Sequence, residues 1–203
     1  MWKIKLKLLF SSALLIAFTF SSSVAQEIFK LDEINSKLVV TGTSSIHDWE
    51  MVVKDFRCEA SMMIKDQSVI QINGIDFSCK VTDMTSNNKI MDGKAHKALS
   101  SSKHPEIRFR FEKGDMMNLL DTPSKIKGNL LLAGTQKPVE VVFSIIAENQ
   151  NLLKVEGRIP LKMSDFGIEP PTAMMGTLKT GDVVQITYEL TLHKKTGNEL
   201  TKH

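Results

Sequence analysis

The residues best equipped for chemistry in this 203-residue chain are its histidines and cysteines. His47 and Asp48 are adjacent in "SSIHDWE", and His96 and His104 flank a Lys- and Ser-rich stretch. Imidazole and carboxylate together can build a metal centre or an acid–base pair. A metal site needs several ligands whose spacing lets them converge, and these intervals match no recurrent metal pattern. A metal-dependent activity at His47, Asp48 and His96 is therefore the weakest reading. Simpler ones are a hydrogen-bonded strand end at His47-Asp48-Trp49 and a surface or mouth position for His96. No Gly-rich phosphate loop, GxSxG nucleophile turn or spaced carboxylate pair is present. The chain reads as a non-enzyme without metal or cofactor.

The two cysteines, Cys58 and Cys79, need the surrounding strands to be interpreted. "FRCEASMMI" alternates, with Phe56, Cys58, Ala60, Met62 and Ile64 on one face. In "VIQINGIDFSCKV" the later part sets Ile75, Phe77, Cys79 and Val81 on one side. The two runs are joined by the short polar "KDQS", so a hairpin is expected with both thiols facing one interior. That makes Cys58 and Cys79 a disulfide candidate, with two buried free thiols as the alternative. Nothing nearby marks a thiolate-stabilising site for a catalytic cysteine.

The same period of two recurs along the chain. Ile107, Phe109 and Phe111 alternate with charged residues; so do Val139, Val141, Phe143 and Ile145, then Val155, Ile159, Leu161 and Met163, then Val184, Ile186, Tyr188, Leu190 and Leu192. Such patterning describes antiparallel strands with one side in water. Apolar parity shifts between Val53 and Phe56, and again around Asn73-Gly74, which predicts a bulge at each place. "GNLLLAG" shows no clear face. The segment around 88–100 breaks the alternation, and "KAHKAL" predicts a short helix ended by Ser100–Ser102 and His104-Pro105. About eight one-sided strands with one helical excursion make an all-β domain. Periodicity alone leaves a closed barrel and a sandwich both open.

Residues 1–25 read as an export leader. Lys3, Lys5 and Lys7 precede an apolar run from Leu8 to Phe20, and Ser23-Val24-Ala25 supplies a cleavage site before Gln26. The run is about 13 residues, short of the roughly 20 that a spanning helix needs. Three of the 26 Lys and Arg lie in this leader, which leaves 23 against 23 Asp and Glu. A balanced mature chain gives no electrostatic case for nucleic acid or an anionic membrane surface. The expected organisation is a leader at 1–25, one domain at 26–195 and a polar tail at 196–203, with periplasmic placement and no stable membrane insertion.

Five segments occur together and in order: "GTSSIHDWEM" (42–51), "MDGKAHKAL" (91–99) with "HPEIRF" (104–109), "GNLLLAGTQKPVEV" (128–141), "LKMSDFGI" (161–168) and "GDVVQITYELTL" (181–192). In this the chain resembles the YceI-like family of exported bacterial proteins associated with polyisoprenoid binding. The resemblance implies an eight-stranded antiparallel lipocalin-like barrel with a helical insertion, holding a polyprenyl chain or similar amphiphile in an apolar channel. With no catalytic motif beside it, the chain is expected to be a non-catalytic carrier or scavenger whose partner is a small amphiphilic lipid, polyisoprenoid or fatty-acyl; oligomeric state stays open, a homodimer of paired barrels being one arrangement. The alternative is a filled barrel acting as a structural or stress-related partner of another envelope protein.

Candidate ligand-binding residues are the interior-face side chains Phe77, Phe109, Phe111, Val141, Phe143, Ile159, Leu161, Ile186 and Tyr188, with Met163 and Phe166 from the loop after 161. The Tyr188 hydroxyl is a candidate partner for a quinone or phenol head group. The loop "LKMSDFGIEPPTAMMG" has more apolar side chains than a loop in water would keep, so it is expected to close the mouth of the barrel. Each of these residues has the alternative reading of plain core.

Overall fold

The computed structural model describes residues 25–65, 68–112 and 123–195. The expected leader up to residue 24 and the tail 196–203 lie outside them. Among these residues twelve strands and one α-helix follow one another: β1 (Ala25–Leu31), β2 (Lys37–Ser44), β3 (Trp49–Val53), β4 (Phe56–Lys65), β5 (Ser68–Lys80), β6 (Met84–Thr85), α1 (Lys89–Ala98), β7 (Glu106–Glu112), β8 (Ser124–Leu132), β9 (Thr135–Glu148), β10 (Leu152–Lys162), β11 (Thr172–Ala173) and β12 (Leu178–Lys194).

Eight of these strands close a ring. The order β1-β4-β5-β7-β8-β9-β10-β12 returns to β1, and every pairing is antiparallel. The structure thus resolves the choice between sandwich and barrel in favour of the closed barrel. Closure rests on β12, which is long enough to serve two partners along one edge. Its end, Leu192–Lys194, pairs with β1, and its earlier part, Thr180–Glu189, pairs with β2. From β2 the pairing continues to β3 and then β6, extending the wall at that end of the barrel.

The step from β1 to β2 has a local cause. The Asp32 carboxylate accepts from the backbone N–H groups of Ile34 (3.1 Å) and Asn35 (3.2 Å), a turn that satisfies the chain as it leaves the sheet. These bonds, led by one from the Asn35 side chain, hold the Asp32 carboxyl below its ordinary range. Between β3 and β4 the structure corrects the expected bulge. The strand breaks at Lys54–Asp55, and the Lys54 N–H donates to Asp83 instead (2.9 Å). Apolar parity shifts for either reason, so periodicity could not separate them. The bulge expected near Asn73-Gly74 is present: Ser61 faces Gly74 and Met62 faces Ile72, leaving Asn73 over. A second extra residue, Ile70, falls between Val69 and Gln71 in the same strand.

Register also decides the thiols. Cys58 stands opposite Phe77, and Cys79 stands opposite Phe56, so the two are diagonal neighbours two residues out of step. Diagonal positions on adjacent strands lie about 7–8 Å apart, beyond the usual span of a disulfide. Both cysteines are free and buried, which corrects the expected bridge.

The helix forms where expected. Asn88 caps α1 through its Oδ1, which accepts from the N–H groups of Ile90 and Met91. His96 Nε2 lies 2.8 Å from the Met84 carbonyl and ties the helix to β6.

Candidate functional site

The inward faces of the ring do not meet. They enclose a cavity of about 480 Å³, within the roughly 300–1,000 Å³ usual for small-molecule sites. Its wall is almost wholly aliphatic, aromatic and sulfur-bearing. The polar exceptions, apart from the thiols and Tyr188, are Ser44, His47, Asn88, Lys94, Thr172, Lys179 and Thr180. These come from the β2–β3 turn, the cap and middle of α1 and the β11–β12 hairpin, which are tied together. Lys94 Nζ donates to the Thr172 carbonyl (2.9 Å), and the Ser45 N–H donates to the Lys179 carbonyl (3.0 Å). The polar residues therefore mark one end, the mouth.

The sequence candidates divide clearly. Phe77, Phe109, Val141, Phe143, Ile159, Leu161, Met163, Ile186 and Tyr188 all face the cavity. Phe111 and Phe166 are buried in the core but form no part of the wall. The exposure of several wall residues is itself informative. Ile159, Leu161 and Ile186 point inward yet stay half-buried, because they border a hollow and not packed neighbours. Phe109, Phe143 and Tyr188 stand around the hollow, and the one aromatic ring contact among the described residues is Phe56 with Phe77. A filled interior is not what the barrel contains.

Tyr188 has a different task from the one expected. Its ring lies over Gly157, directly across the β10–β12 pair, where a Cβ would collide with the phenol and with the Val142 carbonyl. The hydroxyl passes that glycine and donates to Val142 on β9 at 2.9 Å. Burial raises the Tyr188 pKa well above its ordinary value. The hydroxyl proton is thus engaged by the wall and is not free for the quinone head group considered above. Phe109 crosses Gly128 in the same manner.

The loop after β10 covers the cavity in part. Met163 and Ile168 belong to the wall and Phe166 is buried beside them, whereas Met175 is fully exposed. Sequence reading missed the contribution of α1. Met91, Ala95, Ala98 and Leu99 line the cavity from one side of the helix and its end. The signal was available as an apolar spacing of four, three and one. His47 does tie a strand end, with its Nδ1 2.7 Å from the Asp48 carbonyl. No group of three or more His, Cys, Asp or Glu suited to a metal occurs among the described residues.

Cys58 and Cys79 also line the cavity, and burial pushes both thiols up from 9.0 to about 12. Nearby acidic side chains add to the effect. Because the thiolate is the reactive form, native protein at pH 8 is expected to resist thiol labelling and to label fully only when unfolded. The same shift predicts alkaline weakening. Above pH 9 the unfolded thiols ionise while the folded ones do not, so stability is full below pH 9 and lost as pH rises toward 12. Replacing both cysteines by alanine should flatten that decline in pH-dependent melts. Labelling of native protein at the unfolded rate would refute the assignment.

A search of curated proteins gives no match. Solved structures share the fold. BcnA of Burkholderia cenocepacia matches with a TM-score of 0.64 at 17% identity, over 79% of this chain and 98% of that one. A polyisoprenoid binding domain from Saccharophagus degradans, implicated in plant cell wall breakdown, matches at 0.57 and 10% identity, over 85% and 100%. A YceI protein of Campylobacter jejuni matches at 0.56 and 18% identity, over 71% and 84%. The model of the YceI-like domain matches residues 23–192. With a closed eight-stranded barrel, a helical insertion and that match over most of its length, the chain belongs to the YceI-like domain family.

Proposed function

We propose that this protein is a non-catalytic carrier or scavenger that takes one polyisoprenoid or comparable long-chain amphiphile into its barrel, in the bacterial envelope. One observation carries the reading: a hollow of about 480 Å³ with an apolar wall, open at a polar mouth. The polyisoprenoid-binding relative and the family's association support the ligand class, and the leader-like residues 1–25 support the location. No helix among the described residues is long and apolar enough to cross a membrane.

The energetics set a length for the guest. Each CH₂ removed from water contributes about 0.8 kcal/mol. Association costs at least roughly 4 kcal/mol, and micromolar binding needs about 8 kcal/mol net. About 15 buried carbons therefore suffice with few polar contacts.

The test is mass spectrometry of lipid extracted from gently purified protein, followed by titration of stripped protein with a series of alkyl chains. One equivalent of long-chain lipid is expected, with affinity rising about fourfold per added methylene until the hollow is full. Protein that emerges empty and then ignores chain length would overturn the reading.

A further inference from the structure

The wall of the cavity contains no Asp or Glu, and its two full charges are both positive: Lys94 and Lys179. Both stand at the mouth. Neither has a carboxylate within ion-pair distance among the described residues. Their placement is defined by the backbone around them. Lys94, on α1, spends one of its three N–H donors on the Thr172 carbonyl and keeps two. The Lys179 backbone is clasped to Ser45 in both directions: its N–H donates to Ser45 Oγ at 2.9 Å and its carbonyl accepts from the Ser45 N–H at 3.0 Å.

A chain threaded into the apolar hollow must leave its head at this rim, beside two ammonium groups and no compensating acid. A charge near an apolar surface is screened less than one in open water. We propose that the guest carries an anionic head group, phosphate or carboxylate, held at the mouth by Lys94 and Lys179. The inference rests on the carrier reading above and gives it a ligand class. The formal neutrality of the mature chain does not oppose this, because the selectivity is local. A positively charged amphiphile is rejected by the same rim, and a neutral one is held by its tail alone.

The experiment compares four ligands of one chain length: tetradecanol, tetradecanoate, tetradecyl phosphate and tetradecyltrimethylammonium. Each is titrated at pH 8 into stripped wild-type protein and into the double variant Lys94→Gln, Lys179→Gln. The two anions are expected to bind about ten- to thirtyfold more tightly than the alcohol. In the double variant this preference should shrink to about threefold or less; tetradecanol, held by its tail alone, reads any loss that does not depend on head-group charge. Raising salt should erode the preference in wild-type protein only. Mass spectrometry of the lipid extracted from the purified protein reads whether the head group is phosphate or carboxylate.

Equal binding of alcohol and anions to wild-type protein overturns the head-group proposal and leaves the carrier reading standing. Equal loss of the alcohol and the anions in the variant also overturns it, because Lys94 then acts only by holding the β11–β12 hairpin through Thr172. Failure of all four ligands to bind removes the carrier reading, and this proposal with it.

Discussion

An Ile186→Trp variant is expected to fold normally and to lose about a thousandfold in affinity for a long-chain guest. Ile186 stands between Ile159 and Val40 on neighbouring strands, and all three face the hollow. An indole projecting there displaces on the order of five guest carbons, roughly 4 kcal/mol of buried hydrocarbon. The variant's stability separates a wall residue from a core one. Enlarging a packed position costs about 1–3 kcal/mol through strain, and Phe29, with no exposed surface, supplies the contrast as Phe29→Trp. Ile186→Trp should melt within about 1 kcal/mol of wild type, because its new atoms enter space that no protein atom occupies. Ligand titration and denaturant melts on both variants decide the matter. A stability loss at Ile186 equal to that at Phe29 would mean that the interior is packed there and the carrier reading has no site.

The second large effect is on stability. Gly157→Ala is expected to destabilise the barrel by about 3 kcal/mol, far above the usual cost of adding one methyl group. The new Cβ would meet the Tyr188 phenol and the Val142 carbonyl, and the carbonyl belongs to backbone that cannot swing aside. If the ring moves away, the buried bond from the Tyr188 hydroxyl to Val142 breaks, and an unpaired buried acceptor costs about 1–3 kcal/mol. Gly74→Ala is the matched control, since the nearest atom to its Cβ is the Phe111 carbonyl oxygen at 3.6 Å. There the loss of unfolded-state freedom should leave the protein unchanged or more stable by about 0.4–1 kcal/mol. Equilibrium denaturation of the two variants reads the difference directly. Equal midpoints would show that Tyr188 does not lie across β10.

Strand faces were legible because a half-buried strand writes its orientation into every second residue. Phe56 to Ile64 on β4 and Val184 to Leu192 on β12 fall on the interior as their alternation requires. The helix over Lys89–Ala98 was legible from the loss of that period. Events that change parity were visible but ambiguous, as the break at Lys54–Asp55 and the bulge at Asn73 show. Pairing between distant strands leaves no local trace, so the dual use of β12 by β1 and β2 could not be read.

What the sequence by itself determined was a set of one-sided strands, a helical excursion and the family, since periodicity and ordered motifs are properties of the chain alone. Only the tertiary structure decided what lies inside. An apolar face is written the same way whether it meets other side chains or a void, so Phe109, Phe111 and Phe143 read alike until the ring closes. Register across β4 and β5 set Cys58 and Cys79 out of step, and the approach of Tyr188 over Gly157 committed its hydroxyl proton to Val142. The placement of Lys94 and Lys179 at one rim likewise needed the fold, because 85 residues separate them and only closure of the barrel brings α1 beside the β11–β12 hairpin.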